Sequence, residues 1–213
     1  MTAAKRTRLT PEARRAQLID LGVEMLATRR LDELSVELIA QAAGISRGLL
    51  FHYFSSKQEF HLEVARAAAA EMIRRTEPDP ALPPVDALRA AIGAFVDYVE
   101  ENPDNYKSLV RGAVSGDADM RAIFDTTRAT MAQRVIDVIA GQGVRLEPRA
   151  ELVVHGWVAL VEECVVRWLD TGSIEREQLL EMLTKSLPGV VLAASDEQVG
   201  SLIEILTTQA AIG

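Results

Sequence analysis

Cysteine is almost absent. Cys164 stands alone in 213 residues, which excludes an internal disulfide, an all-cysteine zinc site and the stapled secreted scaffolds that depend on either. A reducing cytoplasm is the expected setting. No run approaches the roughly 18 apolar residues of a membrane span, and residues 1–10 lack the apolar core of a signal peptide. A soluble, unexported protein without a membrane partner follows. Strand-type alternation of Val, Ile and Thr is missing, as are Asn-Gly and Asp-Gly hairpin signals, so a β-sheet is not expected. No His-Glu-x-x-His, Glu-x-x-His or Cys-x-x-Cys motif occurs, and no glycine-rich phosphate loop. His155 and Cys164 lie half a turn out of phase on one helix and cannot form a dyad there. Nothing points to an enzyme, a metal or a cofactor.

What is present is a chain with 48% hydrophobic and 25% charged residues, long enough for one domain or two small ones. The formal charge of -8 and a pI of about 5.0 argue against a nucleic-acid partner, since binding phosphates takes Lys and Arg. The distribution reverses that inference. Residues 1–60 carry nine Lys/Arg against seven Asp/Glu, so the remainder holds -10. Lys5, Arg6, Arg8, Arg14 and Arg15 face only Glu12 within the first 15 residues, a basic arm or a solvated tail.

Apolar residues recur at helical spacing almost throughout, so the fold class is all-α. Thr10 caps a first helix, with Pro11 in its first position and Leu18, Gly22, Met25 and Leu26 on its inner face. Ser35 caps a second, Gly44 ends it, and Ser46 caps a third that runs to about Tyr53. Ser55 or Ser56 starts a fourth, which the proline-rich segment 77–84 cannot continue. The division is expected there, with one domain at 1–76 and a second at 77–213. Helices follow at about 85–101, 103–114, 117–140, 148–170, 174–187 and 196–209, with a break at Pro188-Gly189. That makes nine to ten in all.

Residues 35–54 have the dimensions of a helix-turn-helix, whose second helix lies in the DNA major groove. Ala40 supplies the small residue where the helices cross, with Ile39, Ala43, Ile45, Leu50 and Phe54 around it. Phe51 and Phe60 are assigned to the core as well. Arg47, Gly48, Leu49, His52 and Tyr53 are left facing outward. Glycine within a helix costs about 1 kcal/mol relative to alanine, which close approach to a sugar-phosphate backbone explains at Gly48 better than tolerance does. Lys57 opens the fourth helix, where free backbone N–H groups and an ammonium together can hold a phosphate.

The stretch Ile39-Ala40-Gln41-Ala42-Ala43-Gly44-Ile45-Ser46-Arg47-Gly48-Leu49-Leu50-Phe51-His52-Tyr53-Phe54-Ser55-Ser56-Lys57 resembles the DNA-binding signature of the TetR family of bacterial transcriptional regulators. The resemblance covers residues 10–75; beyond them only chain length and helix count agree. It implies an N-terminal helix-turn-helix domain followed by a C-terminal helical domain that binds an effector and dimerises. It also implies base-edge contacts from Arg47, Gly48, Leu49 and His52, and phosphate contacts from Ser35, Ser46, Tyr53 and Lys57. Phe51 replaces the family's usual Tyr, and Tyr53 stands where His is common, so the hydroxyl that reaches a phosphate has moved two residues along. Leu49 offers only apolar contact, which leaves Arg47 as the candidate for a bidentate guanine contact.

A reading head of this kind gains affinity and palindrome recognition as a two-fold dimer. The helix at 148–170 is apolar on three stripes. Leu152, Gly156, Ala159, Glu163 and Val166 form one; Val153, Trp157, Leu160, Cys164 and Trp168 a second; Val154, Val158, Val161 and Val165 a third. Only Glu151, His155 and Glu162 make a narrow polar strip. The Gly156 and Ala159 stripe is assigned to the partner subunit, with Leu152, Glu163 and Leu179, Leu183 and Leu187 of the next helix. Trp157, Cys164 and Trp168 are assigned to a largely apolar pocket with Phe95, Tyr106, Leu109, Phe124, Thr127 and Met131, or to plain core. The family resemblance implies a small effector there that shifts the two heads and lowers DNA affinity; its chemistry is expected to be lipophilic. The expected partners are therefore a palindromic double-stranded operator, a second copy of the chain and a small-molecule effector. An effector-independent architectural or division-linked DNA-binding dimer and an activator are the other readings.

Overall fold

A computed structural model describes residues 10–101, 103–114 and 117–194. Among them the chain forms nine α-helices and one short 3-10 turn, with no strand: α1 Pro11–Met25, the turn Leu31–Glu33, α2 Val36–Ala43, α3 Arg47–Tyr53, α4 Lys57–Arg75, α5 Pro84–Glu101, α6 Pro103–Val114, α7 Ala118–Gly141, α8 Pro148–Thr171 and α9 Arg176–Ala193. The expected helix at 196–209 and the cations Lys5, Arg6 and Arg8 lie outside the described residues.

Two compact units result. One takes the residues up to Ala70 together with Asp104–Arg121; the other takes Glu71–Pro103 and the residues from Ala122 on. This differs from a division at the proline-rich segment, because the chain leaves the first unit within α4 and returns to it for α6. Proline ends a helix by local chemistry, whereas a unit is defined by which side chains pack together.

In the first unit, Thr10 accepts a hydrogen bond from the Ala13 N–H at 3.2 Å and Pro11 opens α1. Ser35 and Ser46 do the same for α2 and α3 at 3.2 Å each. Gly44, at φ 64°, closes α2 in the left-handed region, where a side chain would be strained. At α4 the cap is Ser56, whose Oγ accepts from the Glu59 N–H at 3.0 Å. The core is built from Leu18, Leu34, Ile39, Leu50, Phe54, Phe60 and Val64, all buried. At Gly22 a Cβ would stand 2.5 Å from Val64 Cγ2 and 3.0 Å from Phe60 Cζ, so glycine is what lets α1 and α4 approach this closely.

In the second unit α8 packs closely on α9 and on α5, and α9 on α5. Val96, Val99, Val154, Trp157, Val161, Val165, Leu179, Leu183, Leu187 and Val191 fill the space between them. The expected break at Pro188 does not occur: α9 continues through it to Ala193. Leu187 and Val191 are both buried, one on either side of the proline. Their packing outweighs the single backbone donor that proline lacks.

Candidate nucleic-acid interface

The seven residues of α3 have one buried position, Leu50, which with Phe54 anchors the helix to the core. Around the rest of the cylinder Arg47, Gly48, Leu49, Phe51 and His52 are exposed and Tyr53 is half-buried. Phe51 corrects the expectation that placed it in the core, for it is 47% exposed. Leu50 and Phe54, one turn apart, already occupy the inward face, and Phe51 falls one turn from Arg47 on the outward side. An added Cβ at Gly48 would meet nothing nearer than Ser46 Oγ at 4.0 Å. The protein's own packing therefore does not require glycine there, whereas Gly22 is required by its neighbours.

Polar groups surround this face. The hydroxyls of Ser35 and Ser46 accept backbone N–H groups as caps, which leaves their O–H groups to donate to a phosphate. Lys57 Nζ donates to the Asp32 carbonyl at 3.3 Å, joining α4 to the turn before α2. His52 and Tyr53 meet edge to face with ring centroids 5.4 Å apart. Arg47, the expected guanine reader, is held by Glu37 of α2 at 2.6 Å. Glu37 was missed in the sequence because a lone carboxylate ten residues before Arg47 carries no motif; only the crossing of α2 and α3 brings them together.

Behind the face, Glu59 holds the α3–α4 junction. Its carboxylate accepts from the Ser55 N–H at 2.7 Å and the Ser55 hydroxyl at 2.6 Å, which holds its pKa below the ordinary value, with Arg15 adding to the effect. Arg15 also reaches Glu63 at 3.3 Å and lies 4.9 Å above the Phe54 ring. The imidazole of His61 is 2.8 Å from the Leu34 carbonyl. Burial lowers its pKa despite that bond, so at neutral pH it is uncharged and donates Nε2–H to the carbonyl.

The residues assigned to an interface with a second copy separate into two groups. Leu152 is 71% exposed, Gly156 and Glu163 are exposed and Ala159 is half-buried on one stripe of α8. Glu163 pairs with Arg167 at 2.7 Å. Leu179, Leu183 and Leu187 are instead buried inside their own chain. They correct the expectation: the outward stripe of α9 is Met182, Gly189 and Ala193, all exposed. A helix with adjacent apolar stripes does not reveal which one its own chain covers.

The expected pocket residues also divide. Tyr106 and Leu109 are buried in the first unit, and the others belong to the second. Trp157 Nε1 donates to Ser186 Oγ of α9 at 2.8 Å, and Trp168 Nε1 to the Ile174 carbonyl at 2.8 Å. Both indoles are thus engaged towards α9 and the turn that leads into it. Cys164 and Phe95 are half-buried, and so are Phe124 and Met131 on α7, where Thr127 is buried. Glu162 departs most from expectation. Placed on the polar strip by the wheel, it is buried and ion-paired with Arg128 of α7 at 2.6 Å. Among the described residues no helix is long and apolar enough to cross a membrane, and no group of three or more His, Cys, Asp and Glu could hold a metal.

Comparison with known proteins agrees with this geometry. Residues 18–64 match the family model described as bacterial regulatory proteins, tetR family. Residues 84–188 match the tetracyclin repressor-like C-terminal domain. The chain is 25% identical over 181 residues to the HTH-type transcriptional activator FasR of Mycolicibacterium smegmatis, covering 82% of this chain and 81% of the relative. To the HTH-type transcriptional repressor KstR2 of the same species it is 34% identical over 92 residues, 42% of this chain and 45% of that protein. A crystal structure of a tetR-family transcriptional regulator from Streptomyces coelicolor superposes with TM-score 0.73 at 28% identity, over 95% of this chain and all of the other. With the α2–α3 reading head, the helical second unit and both domain matches in one chain, the protein belongs to the TetR family of DNA-binding transcriptional regulators.

Proposed function

We propose that the protein is a homodimeric repressor that binds a palindromic operator in the cytoplasm and is released from it by a small lipophilic effector held in the second domain. The observation that carries the DNA-reading part is the outward face of α3. It presents Arg47 beside a glycine that the fold itself does not need, with capping hydroxyls and Lys57 around it. Arg47, Gly48, Leu49 and His52 read base edges, and Ser35, Ser46, Tyr53 and Lys57 hold phosphates. Leu49 and Phe51, both exposed, offer apolar surface suited to thymine methyl groups.

Dimerisation is supported by the Leu152, Gly156, Met182 and Gly189 surface of α8 and α9, where large apolar side chains stand in water beside small residues. Exposed apolar stripes of this kind mark interfaces. An activator is the second reading, because FasR, which is similar over 82% of this chain, is itself named an activator.

Selection from a random DNA pool followed by footprinting tests the reading. An inverted repeat is the expected product, and failure to enrich any sequence would remove the proposal. Transcription from the selected site, with and without the protein, then separates repression from activation. Sedimentation at micromolar concentration should show a dimer.

A further inference from the structure

Glu162 is 7% exposed, and its two carboxylate oxygens are treated unequally. Oε2 accepts from Arg128 Nε at 2.6 Å, whereas Oε1 is buried and accepts nothing from the described residues. A buried carboxylate oxygen without a donor is costly, because it has lost water and gained no substitute. The buried hydroxyls of the same unit, Thr76, Thr127 and Thr184, each donate to the backbone carbonyl four residues earlier, so the unmatched Oε1 points to a donor supplied from outside the chain.

The surroundings fit a ligand. α8, α9 and α5 are packed closely on one another, but α7 takes part in none of these close helix pairs. Long side chains tie it to its unit instead: Arg128 to Glu162, Arg134 to the Ile73 carbonyl and Met131 to the Thr76 hydroxyl. Phe124, Thr127, Arg128 and Met131 follow one another at the spacing of a single helix face. The Glu162–Arg128 pair therefore sits on the side of α7 that also bears Phe124, Thr127 and Met131. Both tryptophans of α8 are turned the other way, towards α9 and the α8–α9 turn.

We propose that Glu162 is the polar anchor of the effector site, and that the effector is a lipophilic molecule whose hydroxyl group donates a hydrogen bond to Oε1. This rests on the reading of the second domain as effector-binding and names the chemistry it selects. Arg128 already balances the carboxylate, so a cationic ligand would bring an unpaired charge into the site, whereas a neutral hydroxyl completes the hydrogen bonding without one.

The test is calorimetry on the full chain with decanol, decyl methyl ether and decylamine. The ether keeps the size and apolar character of the alcohol and removes only its donor. Decanol is expected to bind about tenfold or more tightly than the ether, the ratio for one hydrogen bond to a charged acceptor. Glu162→Ala should erase that ratio, and so should Glu162→Gln, because its amide has a single oxygen, which Arg128 claims, and an NH2 donor then stands where Oε1 was. Arg128, with its side chain 39% exposed, can return to water in the alanine variant, and the glutamine variant serves as the folded control. Equal binding of alcohol and ether, as when a water already satisfies Oε1, overturns the proposal, and so does absence of decanol binding. A ratio that survives Glu162→Ala overturns it too, and decylamine binding more tightly than decanol overturns the assignment to a hydroxyl. No DNA enters this measurement, so its failure and the failure of operator selection are separate results.

Discussion

The two units face outward in opposite ways. Around α3 the first exposes a cation, a glycine and hydroxyls, and among its described residues Leu49 and Phe51 are the large apolar side chains that stand exposed. Along α8 and α9 the second exposes leucine, methionine and small residues, and keeps a carboxylate inside. Polar outside and apolar inside is what a surface meeting phosphate requires, while apolar on both sides is what a helix needs when its own core and a second copy both cover it. The acidic total charge hides this contrast, because residues 1–60 are net positive and residues 61–213 carry the excess of carboxylates.

The largest predicted effect tests which apolar stripe of α9 is which. Leu183 is fully buried and Met182, the next residue, is 46% exposed. Leu183→Ala should cost about 2–5 kcal/mol of protomer stability by leaving a cavity, measured by denaturant unfolding. Met182→Ala should leave protomer unfolding within about 0.5 kcal/mol of the parent and weaken self-association in sedimentation. If Leu183→Ala instead lowered only association, the two stripes would have to be exchanged.

On the DNA side the corresponding contrast is between specificity and affinity. Arg47→Ala should relax preference at one base pair per half-site by about 1–3 kcal/mol, read from a panel of single-position operator variants. Lys57→Ala should weaken all sequences alike and lower the salt slope by about one contact. Glu37→Ala should act on both. Freeing the Arg47 guanidinium reduces discrimination, and removing a carboxylate near the phosphates raises non-specific affinity. Loss of affinity without change in preference for Arg47→Ala would show that Arg47 holds a phosphate.

Within the first unit, Gly22 and Gly48 make a matched pair. Gly22→Ala should destabilise by about 1–3 kcal/mol from overpacking against Val64, less about 1 kcal/mol of helix propensity regained. Gly48→Ala, with open space around it, should leave the melting temperature unchanged or raise it, and lower DNA affinity. A loss of stability at Gly48 equal to that at Gly22 would show a packing role instead.

What could be read in advance follows the range of the interactions involved. Caps at Thr10, Ser35 and Ser46, the left-handed Gly44 and the inward Leu18, Ile39, Leu50 and Phe54 are set by neighbours within a turn or two, and all stand where expected. Phe51, Glu162, Pro188 and the leucines of α9 do not, and for one reason. Each is decided by which face of its helix the rest of the fold covers: the inward side of α3 already taken by Leu50 and Phe54, Arg128 of another helix, or the burial of Leu187 and Val191 on either side of a proline. The signature of the reading head was legible because a helix-turn-helix is local. The residues that face an effector or a second copy were not, because two adjacent apolar stripes look alike until their neighbours are known.

The smallest expected effect concerns pH and isolates the first unit from the second. His61 is held neutral against the Leu34 carbonyl, with its pKa lowered chiefly by burial. A histidine whose folded pKa lies below its unfolded value binds fewer protons when folded, so its contribution is complete above the unfolded pKa and is lost as pH falls through the folded one. Stability of the reading head should therefore decline on acidification from neutral pH, before Glu59 and the other paired carboxylates protonate, since their own lowered values place their loss at more acid pH. His61→Gln, which can still donate to the carbonyl but cannot charge, should flatten that first part of the profile by at most a few degrees in melting temperature. If wild type and variant fell in parallel from pH 7 to 5, the loss would arise elsewhere, and the comparison would turn to the carboxylates of the second unit.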